Sequence, residues 1–281
     1  MTKTHSHPRV SVVIPTYNRN SMLKEAVESV LAQDYQNFEL IVVDDGSTDH
    51  TPEILKSYGQ TVTVIRQHNQ GVSSARNAGI KAASADLVAF LDSDDLWLPR
   101  KLSKQVDFFN ANPNALICQT EEIWIRAGVR ANPKKRHKKV SGMIFEPSLK
   151  LCLVSPSAVM IRRSLFETVG LFDENLPACE DYDLWLRISC RYLIYLIDTP
   201  LIIKRGGHAD QLSRASGLDK FRIQAIIKMI ESDLLSPSQY HAAVATLQQK
   251  CTIYAAGCRK RKRIDEAAYY ETLARRHTLQ L

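Results

Sequence analysis

Residues Leu87-Val88-Ala89-Phe90-Leu91 run without a break into Asp92-Ser93-Asp94-Asp95, and this stretch limits the fold more than any other. Five consecutive apolar residues leave no polar face. A strand made of them must be covered on both sides, as in a parallel sheet flanked by helices. It then ends in three carboxylates within four positions. On an extended backbone Asp92 and Asp94 point to the same face. Like charges held together call for a cation, and the carboxyl end of a strand in an open α/β sheet is where ligands bind. The stretch reads as a divalent-metal site that anchors a phosphorylated ligand.

The preceding residues repeat the same unit. Val10-Ser11-Val12-Val13-Ile14 is a short β-branched run stopped by Pro15. Leu23, Ala26, Val27, Val30 and Leu31 recur at helical spacing, with Asn20 or Ser21 as the cap. Glu39 to Val43 is a second strand, ending in Asp44-Asp45-Gly46-Ser47. Pro52 opens a short helix that Gly59 closes. A third strand spans 61–65, a turn follows at His68-Asn69-Gln70-Gly71, and a helix covers about 72–83 with Arg76 and Asn77 on its polar face. Strand and helix in alternation imply a parallel sheet. Its carboxyl edge then collects Thr16, Tyr17, Asn18, Asp44, Asp45, Asp92, Asp94 and Asp95. No Gly-x-Gly-x-x-Gly follows the first strand and no Walker A motif is present, which disfavours the usual dinucleotide and P-loop sites.

Beyond Pro99 the pattern predicts a helix over 100–111, then an irregular, more β-like region over 115–163. A turn at 169–173 leads to an amphipathic helix opened by Glu180-Asp181-Tyr182-Asp183. A strand over 193–203 and a polar stretch over 204–216 follow. From Leu218 onward the chain reads as helix, broken at Ser236-Pro237 and near Arg261. These shifts divide it into a domain over 1–212 and a helical extension over 213–281, which either covers the first domain or mediates self-association into a homo-oligomer.

The six cysteines form no Cys-x-x-Cys pair, so zinc and redox motifs are not indicated and reduced thiols are expected. No apolar run reaches the roughly 18–20 residues that span a bilayer. The polar start carries no signal-peptide pattern, so a cytoplasmic location is expected. The net charge of +7 suits nucleotide diphosphates, anionic lipid or nucleic acid without choosing among them.

Several motifs together resemble the family-2 glycosyltransferases. They are Pro15-Thr16-Tyr17-Asn18, Val42-Val43-Asp44-Asp45-Gly46-Ser47-Thr48-Asp49, Gly71 with Ala75-Arg76-Asn77, Leu91-Asp92-Ser93-Asp94-Asp95, and Glu180-Asp181-Tyr182-Asp183-Leu184-Trp185. The resemblance covers about residues 8–210. It implies a GT-A fold: α/β, with a Rossmann-like, mostly parallel sheet flanked by helices, here with a C-terminal helical extension. It implies an inverting enzyme that moves a sugar from a UDP- or dTDP-sugar to a hydroxyl of a saccharide or lipid-linked acceptor. Carried over by position, it places Pro15, Thr16, Tyr17, Asn18, Asp44, Gly71, Arg76, Asp92 and Ser93 at the nucleotide sugar. It places Asp94 and Asp92 on Mg²⁺ or Mn²⁺, with His208 completing the metal shell, and makes Asp181 the general base.

The chemistry accounts for these residue types. Departure of a nucleoside diphosphate builds negative charge on phosphate, which a hard cation with oxygen ligands neutralises. The attacking hydroxyl must lose a proton, and a positioned base contributes about 10²–10⁴-fold. A single displacement inverts the anomeric centre. Each residue also has a plain structural reading. A strand-end Asp caps turns. Asp181 and Asp183 complement a helix dipole. Arg76 sits on a solvated helix face, and His208 is structural or solvated. Trp97, Trp185 and Trp124 are read as core, with stacking on a sugar as the second reading for Trp124. The run Lys134-Lys135-Arg136-His137-Lys138-Lys139 is a solvated loop, with peripheral contact at the inner face of the membrane or a phosphate-bearing acceptor as its functional readings. The competing functions are a sugar-phosphate nucleotidyltransferase, disfavoured by the missing Gly-rich loop, and a basic binding module. Nucleic acid is not an expected partner, because the acidic sheet edge repels it.

Overall fold

The computed structural model describes residues 9–132, 137–207 and 217–276. Strand and helix alternate through β1 (Val10–Thr16), α1 (Asn20–Leu31), β2 (Phe38–Asp44), α2 (Thr51–Ser57), β3 (Thr63–Arg66), α3 (Val72–Ala82) and β4 (Leu87–Phe90). There follow β5 (Leu96–Trp97), α4 (Lys101–Ala111), β6 (Ile117–Arg126), β7 (Val129–Ala131), α5 (Phe145–Lys150) and β8 (Val159–Arg162). Then come α6 (Leu165–Val169), α7 (Glu180–Ser189) and β9 (Tyr195–Gly206). The chain ends in α8 (Leu218–Ile230), α9 (Pro237–Lys260) and α10 (Ile264–Arg276).

All the strands form one sheet in the order β3-β2-β1-β4-β8-β6-β9-β5, with β7 paired to β6. β3, β2, β1 and β4 are parallel. β8 is antiparallel to both β4 and β6, so β6 and its parallel partner β9 run in the same sense as β1. The sheet is therefore mostly parallel, and the carboxyl ends of β1, β2, β4, β6 and β9 share one edge.

Alternation along the strands builds a core on each face. From β1, Val10, Val12 and Ile14 pack into the cluster with Leu23, Val27, Leu102 and Phe109, while Val13 enters the opposite one with Ala75, Leu184 and Trp185. Leu87, Ala89 and Leu91 go to the first cluster, and Val88 and Phe90 to the second. Each fully buried side chain of this size contributes about 1.5–3 kcal/mol. α3 approaches β1 so closely that a Cβ at Gly79 would lie 2.2 Å from Val13 Cγ1, so only glycine fits.

β1 runs two residues past Ile14, through the expected stop at Pro15. Leu91 N donates to Val13 O, so Val13 and, two residues on, Pro15 turn their peptide groups toward β4. The β4 pairing has already ended at Val13 opposite Phe90, so the missing Pro15 N–H costs no ladder bond. The N-cap of α1 is Arg19, and neither Asn20 nor Ser21 caps it. Helix α5, with 6 residues, falls in the stretch expected to be β-like and irregular, and α6, with 5, runs into the expected turn at 169–173. They are too short for a hydrophobic period to show. β9 continues past 203, because Lys204 and Arg205 pair with Trp124 and Ile125 of β6.

The C-terminal helices break where expected, and Ser236 forms a capping box with Gln239 at the start of α9. They share a core with the first part of the chain: Phe145, Leu149, Tyr182 and Leu186 pack with Ile226, Met229, Leu247 and Cys251. The boundary placed at 212 lies outside the described residues. Among the described residues, no helix is long and apolar enough to cross a membrane.

Candidate active site

The carboxyl edge of the sheet opens into a cavity of about 980 Å³. Pro15, Thr16, Tyr17, Asn18, Gly71, Arg76, Asp92, Ser93, Asp94 and Asp181 all line it. The structure thus brings together every candidate proposed from the sequence except Asp44 and His208, and His208 lies outside the described residues.

The acidic cluster forms by a route other than the one expected. β4 ends at Phe90, and Asp92 to Asp95 make a turn in which Asp95 N donates to Asp92 O at 2.9 Å. Asp92 and Asp94 are not side by side on an extended strand. The turn gathers Asp92, Asp94 and Asp95 so that one oxygen from each lies within 4.8 Å of the others. The surroundings fix the turn. Ser157 Oγ donates to Asp95 Oδ2 at 2.7 Å and to no other carboxylate of the three, and Arg205 N donates to Asp95 Oδ1 at 2.9 Å. The Arg205 guanidinium reaches Asp94 O and Glu25. Burial pushes the Asp95 carboxyl well above its ordinary range. Lys204 opposes that rise, and Asp94 and Asp92 reinforce it. Three crowded carboxylates with hard oxygen donors suit Mg²⁺ or Mn²⁺.

Arg76 does not sit on a solvated helix face. It is 4% exposed, with Nη2 2.7 Å from Asp92 Oδ1 and Nη1 2.6 Å from Glu180 Oε1. Its guanidinium also lies over the Phe172 ring, 5.1 Å from the centroid. The charge expected at the nucleotide is therefore engaged by two carboxylates, and it joins the end of β4 to the first turn of α7. Asn77 is buried too, donating to Phe172 O and Glu174.

Asp44 is buried and does not line the cavity. It accepts from Ser47 N at 2.9 Å and lies 3.5 Å from Arg66, which shapes the turn after β2. Its neighbour Asp45 lines the cavity and binds the loop that leads into α3, accepting from Gln70 N and Gly71 N. Gly71 holds φ at +91°, which lets the chain turn into α3. Asn18 also has a structural role. Its Oδ1 accepts from Thr48 N at 2.8 Å and its N donates to Ser47 Oγ. Thr16 Oγ1 is buried in the cavity wall with no hydrogen-bond partner, whereas Tyr17 is 46% exposed at the rim.

Asp181 enters from α7. Its Oδ1 accepts from Tyr182 N at 2.7 Å, and Oδ2 faces Cys152 Sγ at 3.5 Å. Burial, then the Asp181 charge, pushes the Cys152 thiol far up, so it stays protonated beside that carboxylate.

Lys204 and Glu122 are among the lining residues that sequence reasoning did not place at a site. Lys204, from β9, donates to Ser155 Oγ at 3.1 Å. Against the cost of burial, Glu122, Asp95, Asp92 and Asp181 hold its ammonium above the ordinary lysine value. Glu122 pairs with Lys139 at 3.0 Å. Lys139 was expected in a solvated loop, yet it is 4% exposed and also donates to Thr120 O. Residues 134–136 of that run lie outside the described residues. A charged residue at the end of an apolar strand was the clue that exposed Asp92, and it applies equally to Lys204. Trp97 and Trp185 are core, as expected, but Trp124 lines the cavity, with Nε1 donating to Glu122 at 2.8 Å.

The family model for glycosyl transferase family 2 matches residues 11–170. The chain belongs to that family. It is 35% identical over 214 residues to an uncharacterised glycosyltransferase of Rickettsia prowazekii, a match covering 74% of this chain and 67% of that one. Longer rickettsial glycosyltransferases are matched over only 31% to 44% of their length. The UDP-Glc:alpha-D-GlcNAc-diphosphoundecaprenol beta-1,3-glucosyltransferase WfaP of Escherichia coli is 33% identical over 235 residues, covering 79% of this chain and 86% of that one. Among solved structures, S. aureus TarS 1–349 in complex with UDP-GlcNAc superposes with a TM-score of 0.69 at 19% identity, covering 97% of this chain and 93% of that one. The sheet with its flanking helices is the GT-A type of α/β fold.

Proposed function

We propose that the chain is an inverting glycosyltransferase that moves a sugar from a UDP- or dTDP-sugar to a hydroxyl of a saccharide or lipid-linked acceptor. One observation carries this reading: Asp92, Asp94 and Asp95 open into the same cavity as Asp181, and its volume of about 980 Å³ suits a nucleotide sugar with an acceptor beside it. The E. coli relative, named for a diphospholipid-linked acceptor, supports an acceptor of that class. Such an acceptor implies peripheral contact with the inner face of the membrane.

In this reading Tyr17 and Thr16 meet the nucleotide, the exposed ring at the base and the unpartnered hydroxyl as a donor or acceptor. Asp94, which lines the cavity in the turn with Asp92 and Asp95, would be the direct ligand for Mg²⁺ or Mn²⁺. A cation held by this turn would supply neutralisation of charge on the leaving diphosphate. Asp181 takes the proton of the acceptor hydroxyl as the new bond forms at the anomeric carbon and the bond to the diphosphate breaks. The Tyr182 amide holds one carboxylate oxygen, which leaves the other turned to the acceptor and the Cys152 thiol. Lys204 keeps the acidic wall from repelling an anionic donor.

Calorimetric titration with UDP-glucose, UDP-GlcNAc and dTDP-glucose, each with and without Mn²⁺, tests the reading. Binding of at least one donor, tightened by the ion, is the expected result. Failure of every nucleotide sugar to bind would overturn it.

A further inference from the structure

The turn after β4 gives the cavity acidic lining. The cavity is also lined by α8, in the helical extension beyond the 11–170 match, which contributes Leu218 and Arg222. These two are four residues apart and so lie on one helix face, one above the other. They supply an apolar contact and a cation side by side. Arg222 Nη1 lies 3.1 Å from Asp219 Oδ1, and Lys250 of α9 lies 3.6 Å from the same oxygen. Two cations thus share one carboxylate. Arg222 Nε is buried without a hydrogen-bond partner. A guanidinium presents a planar fork suited to phosphate, and here part of that fork is unused. Cys179, the residue before α7, Asp181 and Arg222 all line this cavity.

We propose that Arg222 binds a phosphate group of the acceptor, with Leu218 against the adjoining hydrocarbon, so that the helical extension selects phosphate-bearing acceptors. This rests on the transferase reading, in which the acceptor hydroxyl lies at Asp181. The donor diphosphate lies at the acidic turn with its cation. The acceptor phosphate lies at α8, away from the turn of Asp92, Asp94 and Asp95, which among the described residues is the group of three or more side chains that could hold a metal ion. The acceptor's saccharide spans the distance between them.

The test titrates three probes into the 281-residue chain saturated with UDP and Mg²⁺, so that the donor site is filled. Decyl diphosphate offers the anion and a tail, glucose 1-phosphate the anion alone, and decyl glucoside the tail alone. An ion-assisted hydrogen bond contributes about 1.5–3 kcal/mol, or roughly 10–100-fold in affinity. Binding of decyl diphosphate or glucose 1-phosphate should weaken by about that factor in Arg222→Ala and recover in part in Arg222→Lys. Unchanged UDP affinity in both variants shows that the fold is kept. Whichever of the two anions binds more tightly tells whether the phosphate is lipid-borne or carried by a soluble saccharide. Decyl glucoside binding as tightly as decyl diphosphate, or anion binding unaffected in Arg222→Ala, would overturn the inference and leave the transferase reading standing. Failure of the wild-type protein to bind UDP would bring down both.

Discussion

Glu180, in the first turn of α7, lies 2.6 Å from Arg76 of α3, and the other arm of the same guanidinium lies 2.7 Å from Asp92. The helix that carries the proposed base is therefore tied to the acidic turn through one buried cation. The two carboxylates are far apart in sequence, yet neither is left unpaired. Burial raises the Glu180 carboxyl, and Arg76 opposes the rise.

Removing the shared cation should be costly. In Arg76→Met, Asp92 and Glu180 lose their partner while Glu180 stays buried, and breaking such a pair costs about 3–5 kcal/mol. Chemical denaturation should show that loss. The double variant Arg76→Met with Glu180→Gln should lose less than the two single changes added together, because the residues interact directly. Strict additivity would show that the pair is not coupled.

Asp181→Asn and Asp94→Asn should fail at different steps. The first removes the base and should lower transfer by about 10²–10⁴-fold with nucleotide-sugar affinity nearly unchanged. The second should abolish the tightening of donor binding by Mn²⁺. Rates of product formation measured beside calorimetric donor titrations separate the two. Full turnover in Asp181→Asn would remove it from the base role.

The sequence made the parallel half of the sheet legible because β1, β2 and β4 are apolar runs that end in polar residues at a common edge. It made Asp92, Asp94 and Asp181 legible because their motifs sit at strand and helix ends. It did not reveal that Asp92 to Asp95 form a turn, since two-residue spacing reads the same on a strand as on a bend. Nor did it show the fate of Arg76, whose partners lie 16 and 104 residues away. Lys139 looked like one member of a basic run, because burial opposite Glu122 depends on β6, an element far from it in the chain. Long-range ion pairs have no local signature.

The C-terminal helices should prove necessary for the stability of the rest. Phe145 and Leu149 of α5 and Tyr182 and Leu186 of α7 are buried against them. Tyr182 Oη donates to Leu149 O at 2.7 Å inside that contact. A chain ending at residue 216 would expose these four side chains at about 1.5–3 kcal/mol each. It should bind a hydrophobic dye or aggregate. A soluble product with an unchanged melting temperature would show that the first part folds alone.

Lys101 should make stability rise with pH above neutrality. Its side chain is fully buried, with Nζ 4.2 Å from the centroid of Trp97 and hydrogen-bonded to Gln105. Burial lowers its pKa to about 7. An unfolded lysine titrates near 10.4, so between roughly pH 7 and pH 10.4 the unfolded chain holds a proton that the folded chain lacks. Across that window rising pH favours the folded state. Below it, the cost of burying the charge is present in full. Lys101→Met removes the group and should flatten this part of the profile, with its advantage over the wild type greatest below pH 7 and vanishing toward pH 10. Gln105 Oε1 loses its partner in the variant, at about 1–3 kcal/mol, so the change in slope is the decisive readout rather than the absolute stability. Parallel wild-type and variant curves from denaturation at pH 6, 8 and 10 would show that Lys101 does not titrate in this range.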